Sequence, residues 1–126
     1  MCEFCKTHSE TIYHLLWECQ HVKTFWEELR RNINNRCNTN CRLSVDGKLT
    51  LFGISKDNKV DNVIDLILIL AKSYIYRCKV QGSVLNIRLF LNEVYNRFCI
   101  EKNINSNSNI FMEKWSPYMN LFRNVM

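Results

Sequence analysis

Three cysteines and one histidine lie close together at the N-terminal end of the chain, within MCEFCKTHSETIYHLLWECQH. They are Cys2, Cys5, His14 and Cys19, with the spacing C-x2-C-x8-H-x4-C. The first pair lets one tight turn direct two sulfurs to a single point, and the later pair arrives from a different segment. Three thiolates and one imidazole are a complete tetrahedral ligand set for Zn²⁺, with no position left for a substrate water. The spacing therefore predicts a structural zinc site around which residues 1–30 must fold.

Other interpretations of this cluster remain open from the sequence alone. A redox C-x-x-C normally begins a helix that follows a strand, and no strand precedes Cys2. Buried cysteines without a metal are a second alternative, and His8 or His21 in place of His14 is a third. His8 falls too early after the second cysteine and His21 comes after the third, so His14 is the favoured ligand.

The seven cysteines also bear on the compartment of the chain. Their number is odd and no apolar signal-peptide segment stands at the N-terminus, so we expect a soluble, intracellular chain. The most apolar run, residues 64–71, is too short to span a bilayer. Cys37 and Cys41 could form half of a second metal site, whereas Cys78 and Cys99 should pack in the core.

The composition favours helices over strands. Glycine occurs three times and proline once among 126 residues, while apolar residues recur at helical spacing over long stretches. We predict an all-α fold in which a small N-terminal Cys3His zinc motif packs on a bundle of about four helices. Residues 1–30 would form the zinc motif, with a short helix and a following amphipathic helix. A basic polar loop over 31–48 and a C-terminal helical region over 49–126 would complete the chain.

The boundaries of the N-terminal helices can be predicted from local signals. Residues 7–10, Thr-His-Ser-Glu, fit a capping box that begins the short helix carrying His14. A clearer helix follows over about 21–34, with an apolar stripe along one face. The stripe consists of Val22, Trp26, Leu29 and Ile33. Residues 30–42 hold four arginines, five asparagines and no acid, which predicts a loop, and 49–54 is a short strand or an extended connector.

The C-terminal half is predicted to form consecutive helices. Residues 60–79 are apolar nearly all round at helical period, which predicts a buried central helix. Gly82 should end that helix, and Ser83 should cap the next one, over about 83–101. A polar linker over 103–109 would precede a final segment that the single proline interrupts. The apolar members of that segment are Phe111, Trp115, Tyr118, Met119 and Phe122.

The chain resembles a known segment at residues 10–29, ETIYHLLWECQHVKTFWEEL, and at the cysteine pair that precedes them. It is the zinc-binding segment downstream of the polymerase in non-LTR (LINE-type) retrotransposon reverse transcriptases. The shared signature is a Cys pair, then H-L-x-W-x-C, then a helix with V-x-x-F-W. In this chain it comprises Cys2, Cys5, His14, Leu15, Trp17, Cys19, Val22, Phe25 and Trp26. LFGISKDN at 51–58 and LAKSYIYRCKV at 70–80 extend the resemblance over most of the chain.

This resemblance implies one part of a larger protein that makes cDNA at a nicked genomic target, in the cytoplasm and nucleus. In such proteins the zinc segment is a non-catalytic part that binds nucleic acid and supports the polymerase. The expected partners are RNA and/or DNA and the rest of the parent reverse transcriptase, with no membrane and no small-molecule substrate. The chain has no adjacent aspartates of the kind that hold polymerase metal ions, so we expect no enzymatic activity.

The net charge of +5 favours a polyanionic partner. We predict phosphate contacts from five basic residues in or near the polar loop. They are Lys23, Arg30, Arg31, Arg36 and Arg42. Trp17, Phe25 and Trp26 could stack on unpaired bases, but their helical spacing beside the metal site favours packing in its small core.

A structural module without affinity for nucleic acid is the alternative function. Zinc would then hold together a helical scaffold for protein–protein contacts with the polymerase core or a host factor. The apolar helix at 60–78 and the aromatic tail at 111–122 favour this alternative, because a fragment exposes surface that its parent covers. Removal of the loop arginines should weaken RNA binding under the first hypothesis and change nothing under the second.

Overall fold

The computed structural model describes residues 2, 4–6, 11, 14–36, 62–104 and 109–122. Every regular element in these ranges is helical, which confirms the predicted all-α class. In chain order the elements are a π-helical turn at His14–Glu18, α1 at Gln20–Arg36, α2 at Asn62–Gln81, α3 at Ile87–Ile104, α4 at Asn109–Trp115 and a 3₁₀ segment at Ser116–Phe122. The π-helical turn packs against α1 and α2, so the Cys3His motif rests on the helical bundle as predicted.

Several predictions fall outside the described residues. They concern the capping box at 7–10, the strand or connector at 49–54, and Cys37, Cys41 and Arg42. The linker predicted at 103–109 is helical at both ends, because α3 extends to Ile104 and α4 begins at Asn109.

The predicted polar loop begins too early, because α1 continues through Ile33, which is buried. The sequence predicts a loop from residue 31, but the helix continues to Arg36. Ile33 is only 2% exposed. The Asn32 side-chain amide donates to the Glu28 carbonyl at 2.8 Å, so this residue bonds to the helix backbone instead of interrupting it. Burial of Ile33 therefore outweighs the low helix propensity of the asparagines.

The end of α2 lies at the predicted glycine and forms a Schellman motif. Gly82 has φ +68°, a left-handed conformation that costs a glycine little. The Ser83 N–H donates to the Cys78 carbonyl at 2.9 Å, and the Gly82 N–H donates to the Lys79 carbonyl at 3.3 Å. These bonds satisfy carbonyl groups that a helix end leaves unpaired.

The cap of α3 is Asn86, and the prediction of Ser83 is wrong. Asn86 Oδ1 accepts the backbone N–H groups of Arg88 at 2.9 Å and Leu89 at 3.3 Å. The Asn86 N–H itself donates to the Tyr74 hydroxyl oxygen at 3.0 Å. The start of α3 is therefore set by a contact with α2, which the local sequence does not reveal.

One face of α2 is exposed, although the sequence predicts burial nearly all round. Ile69 is 59% exposed, Tyr76 56% and Val80 65%. Their helical spacing places them on a single stripe, which we call the α2 stripe. The opposite face carries eight buried residues of the core, namely Val63, Ile64, Ile67, Leu68, Ala71, Tyr74, Ile75 and Cys78. Within the described ranges, no helix has the length and apolarity needed to cross a membrane.

A group of aromatic rings, the Phe90 cluster, joins α1, α2 and α3. Phe25 of α1 lies 5.7 Å from Tyr74 of α2 and 5.4 Å from Phe90 of α3, measured between ring centroids. The stripe predicted for α1 is buried beside it, which confirms that prediction. Its members are Val22, Trp26, Leu29 and Ile33, each at most 2% exposed.

A second group, the Phe98 cluster, joins α3 to the C-terminal elements. The Phe98 ring lies 5.5 Å from Phe111, 5.4 Å from Trp115 and 5.5 Å from Phe122. The chain changes from α4 to the 3₁₀ segment at Ser116, which confirms the break predicted from the Ser-Pro pair. The turn of the chain at this break lets residues on both sides of it reach the same aromatic ring.

Candidate metal centre

The four predicted ligands come together at one point. Their donor atoms all lie within 4.8 Å of one another. Cys2 Sγ is 3.8 Å from Cys19 Sγ, and Cys5 Sγ is 3.3 Å from His14 Nε2. A tetrahedron with metal–sulfur bonds of about 2.3 Å has sulfur–sulfur edges of about 3.8 Å, so these separations fit a four-coordinate ion. The residues therefore form a group that is able to hold a metal ion.

The first pair of ligands is positioned by a tight turn at Cys2–Lys6. The Lys6 N–H donates to the Cys2 carbonyl at 2.9 Å and closes the turn. Lys6 adopts φ +61°, the left-handed region that favours glycine. A lysine in this conformation costs roughly 1–2 kcal/mol, so the turn is locally strained. This turn brings Cys5 back towards Cys2, as the C-x2-C spacing predicts.

The second pair is brought together by the π-helical turn. In an α-helix, residues five apart point about 140° away from each other. Here the Cys19 N–H donates to the His14 carbonyl at 2.8 Å, the longer-range i→i+5 bond of a π-helix. The Thr11 hydroxyl accepts the His14 N–H at 3.0 Å and fixes the start of the turn. The wider turn thus allows two ligands five residues apart to meet.

Cys19 is both a member of the cluster and the N-cap of α1. Its carbonyl accepts the Lys23 N–H at 2.8 Å, the first hydrogen bond of the helix. Burial raises the pKa of the Cys19 thiol to about 11, although the backbone N–H groups of His21 and Val22 bond to it and act in the opposite direction. Without a metal, this thiol therefore holds its proton at neutral pH, and a bound cation must displace that proton.

Three of the four residues in the cluster are buried, Cys5 is half-buried, and the cluster is connected to the bundle. Cys2 and Cys19 are fully buried, and His14 is 7% exposed. The Trp26 indole N–H donates to the Leu16 carbonyl at 2.7 Å, which joins the π-helical turn to the core face of α1. A buried donor set with this connection suits a structural ion that holds two chain segments together.

The other cysteines and histidines do not extend the cluster. His21 is exposed on α1 and lies outside the group that the structure brings together. Cys78 is 4% exposed in the core, as predicted, and Cys99 is half-buried beside Tyr95. His8 falls outside the described residues. Among the residues that the structure describes, His14 is therefore the histidine that belongs to the cluster.

Four of the five predicted nucleic-acid contacts lie on α1, including Arg31 and Arg36, which the sequence predicts in the polar loop. Lys23 and Arg31 are exposed, and Arg30 and Arg36 are half-buried. Because these residues share one helix, their spacing is fixed by the helix geometry. The fifth, Arg42, lies outside the described residues. The helix reaches the metal centre at Cys19, so the basic residues follow directly from one of the ligands.

Arg30 forms an ion pair with Glu27 on the outer side of α1. Arg30 Nε donates to one carboxylate oxygen of Glu27 at 3.0 Å, and Nη2 bonds to the other. This hydrogen-bonded guanidinium lowers the pKa of the Glu27 carboxyl, and the charge of Arg31 acts in the same direction. We call Lys23, Glu27, Arg30 and Arg31 the basic face of α1. Its three positive charges and one negative charge leave a net charge of +2.

Trp17 differs from the two aromatic residues that follow it. Phe25 is 3% exposed and Trp26 1% exposed, which confirms their predicted packing in the core. Trp17 packs against the core but is only half-buried, and Lys23 Nζ lies 6.0 Å from the centre of its ring. The predicted packing is therefore confirmed only in part for Trp17. The π-helical turn rotates this residue about the helix axis relative to the residues of α1. The five-residue spacing of His14 and Cys19 is the signal that indicates this shift.

Comparison with known proteins gives no match. No protein-family model, no curated protein and no solved structure matches this chain. The functional assignment is therefore built on the Cys3His cluster and on the basic face of α1.

Proposed function

We propose that this chain is a non-catalytic, zinc-binding and nucleic-acid-binding module of a non-LTR retrotransposon reverse transcriptase. It would lie in the C-terminal region of that protein, act in the cytoplasm and nucleus, and support target-primed reverse transcription. One observation carries the proposal. The buried Cys3His cluster ends at the first turn of a helix whose outer face is basic.

Zinc is the metal that the donor set fits best. Three thiolates and one imidazole are soft to borderline ligands, which Zn²⁺ accepts in a tetrahedron with closed coordination. The separations of 3.8 Å and 3.3 Å between donor atoms agree with that geometry. The charge of three thiolates and one Zn²⁺ totals −1, and the basic face of α1, with a net charge of +2, begins four residues after Cys19. In this role the ion stabilises the fold and takes no part in a reaction.

The basic face of α1 supports binding to a phosphate backbone. Lys23 and Arg31 are exposed and form no ion pair among the described residues, whereas Arg30 forms an ion pair with Glu27. Such contacts fix the position of RNA or DNA on the protein without reading its sequence. The metal contributes indirectly, because Cys19 holds the N-terminus of α1 in place.

The proposal is tested by removing three positive charges from α1. We expect Arg30→Ala, Arg31→Ala and Arg36→Ala in one variant to weaken binding to RNA and DNA oligonucleotides. The slope of log K against log salt should become shallower by about 0.7–0.9 for each phosphate that the variant no longer neutralises. The matched control changes Arg88, Arg97 and Lys102 of α3 to Ala, which removes the same charge elsewhere. Equal binding by both variants, or an affinity that does not depend on salt, would refute the nucleic-acid function.

The α2 stripe favours a second candidate function, a scaffold for protein–protein contacts. Ile69, Tyr76 and Val80 together expose an apolar surface of the kind that protein interfaces bury. The partner would be the polymerase core of the parent protein or a host factor. In that case Ile69→Ser with Val80→Ser should weaken association with the polymerase core, and the arginine variant should bind nucleic acid as the native chain does.

A further inference from the structure

A groove of about 450 Å³ lies between the π-helical turn and the outer side of α1. Trp17 forms one wall, and Lys23, Glu27 and Arg31 follow along the helix. The buried Trp26 ring closes the inner side, and its indole N–H is already bonded to a backbone carbonyl. The groove therefore combines one accessible aromatic face with a row of charged side chains.

The exposed part of Trp17 has no aromatic neighbour among the described residues. The group next to it is Lys23, whose ammonium lies 6.0 Å from the ring centre. A cation–π contact at an exposed site is weak in comparison with the stacking of a nucleobase on an aromatic ring. A base can therefore take the place of the ammonium group, which then becomes available for a phosphate.

The charges along the groove match a polyanion of short length. Lys23 and Arg31 are eight residues apart on one helix, which corresponds to about 12 Å along its axis. At about 3.4 Å per stacked nucleotide, this distance spans roughly three nucleotides of one strand. Glu27 lies between them, but Arg30 pairs with its carboxylate and offsets its charge.

From these features we propose that the groove binds single-stranded nucleic acid, with one unpaired base stacked on Trp17. Lys23 holds a phosphate next to that base, and Arg31 holds a phosphate about three nucleotides further along the strand. The inference rests on the proposed nucleic-acid function and adds to it a preference for unpaired strands and a stacking residue. A duplex cannot stack a base on Trp17, because the faces of its bases are already covered by the neighbouring bases.

Tryptophan fluorescence of the full, metal-loaded chain tests this inference. Trp26 is 1% exposed and Trp115 is fully buried, so quenching by a bound oligonucleotide reports on Trp17. The four probes are U12 RNA, dT12 DNA, an RNA duplex and a DNA duplex, all of equal length. We expect the single strands to quench the emission and the duplexes to leave it nearly unchanged. The two single strands also show whether RNA or DNA is preferred.

Two substitutions at Trp17 separate stacking from folding. Trp17→Ala should weaken single-strand binding by about tenfold, whereas Trp17→Phe should retain most of it and abolish the quenching. Tyr76→Ala on the α2 stripe removes another exposed aromatic ring and is the matched control, with no expected effect on binding. If Trp17→Ala does not fold, Glu27→Gln provides the second measurement. It removes the negative charge in the groove and should tighten single-strand binding.

The outcomes distinguish this inference from the proposed function. Binding that depends on the arginines of α1 but is unchanged by Trp17→Ala and Glu27→Gln would overturn the groove and leave the nucleic-acid function intact. Equal affinity for duplex and single strand, without quenching, would have the same meaning. Absence of binding to all four probes would overturn both. Quenching by single strands that disappears in Trp17→Phe would support both.

Discussion

The N-terminal segment at Cys2–Cys19 and the C-terminal elements from α2 to Phe122 are held together by different interactions. Around the candidate metal centre, four donor atoms from Cys2, Cys5, His14 and Cys19 lie within 4.8 Å of one another. In the C-terminal part, aromatic rings stack at 5.4–5.5 Å around Phe98. With the proposed metal bound, the first region depends on an ion and on deprotonated ligands, whereas the other depends on buried apolar area.

α1 belongs to both regions. Its N-terminus is capped by the ligand Cys19, and its middle contributes Phe25 to the Phe90 cluster. Loss of the metal should therefore loosen the first turn of α1 without removing the helix from the core. Changes confined to one region should leave the other intact. We expect the largest effects from changes at the candidate ligands and the smallest from changes at the exposed turns.

Removal of the metal should have the largest effect. Structural zinc contributes apparent free energies of roughly 10–16 kcal/mol in small zinc-finger peptides, which is comparable with the whole stability of a domain. We expect chelation, or Cys19→Ser, to abolish hydrogen-exchange protection at the π-helical turn and the first turn of α1. Amides in the middle of α3, near Phe98, should stay protected. Cys99→Ser, a half-buried cysteine outside the cluster, is the control and should bind metal normally. Equal loss of protection in both regions would show that they are not independent.

Truncation of Trp115 should affect the C-terminal region instead. Its ring is fully buried against Phe98, and a Trp→Ala change in a core costs about 3–5 kcal/mol. The free energy of unfolding, measured with urea, should fall by that amount while the metal content of the folded chain is unchanged. A Trp115→Ala variant that folds and fails to bind metal would contradict the separation of the regions.

The two regions should also lose stability at opposite ends of the pH scale. Burial raises the pKa of Tyr74 to about 12, since the neutral phenol is favoured in the folded chain. Its contribution to stability is complete below the usual tyrosine pKa of about 10 and is lost as the pH rises through about 12. The metal centre fails in acid, because protons compete for the thiolates and for His14. Circular dichroism against pH should show a smaller alkaline loss in Tyr74→Phe than in the native chain. Identical alkaline curves would rule out this role for Tyr74.

The smallest effects concern two positions with left-handed backbone. Substitution of Lys6, at φ +61°, by glycine should increase the stability of the folded chain. Substitution of Gly82, at φ +68°, by alanine should decrease it. Each change is expected to be about 1 kcal/mol, with opposite sign. Lys6→Gly should appear as tighter metal binding and Gly82→Ala as a lower urea midpoint. A Lys6→Gly variant with weaker metal binding would contradict the proposed strain in the Cys2–Lys6 turn.

Local features of the sequence were sufficient to predict part of the fold and of the site. The candidate ligand set follows from residue type and spacing, and Gly82 marks the end of α2 because a left-handed C-cap favours glycine. The stripe of α1 follows from its helical period. These features are determined by neighbours within a few residues, so the sequence reveals them directly.

Features that depend on distant contacts could not be predicted in the same way. Asn86 caps α3 because Tyr74 of α2 binds its backbone, and α1 continues through its asparagines because Ile33 is buried. The half-buried position of Trp17 depends on the π-helical turn, which brings His14 and Cys19 together and which helix propensity does not indicate. In each case a tertiary contact outweighs the local preference of the residues.

The Cys3His cluster is proposed to hold one zinc ion, and the stability of the N-terminal segment depends on that ion. Metal analysis of the purified chain together with X-ray absorption at the zinc edge tests this most directly. We predict one zinc per chain, bound by three sulfurs at about 2.3 Å and one nitrogen at about 2.0–2.1 Å. A fully folded chain without zinc, with free thiols at Cys2, Cys5 and Cys19, would contradict it.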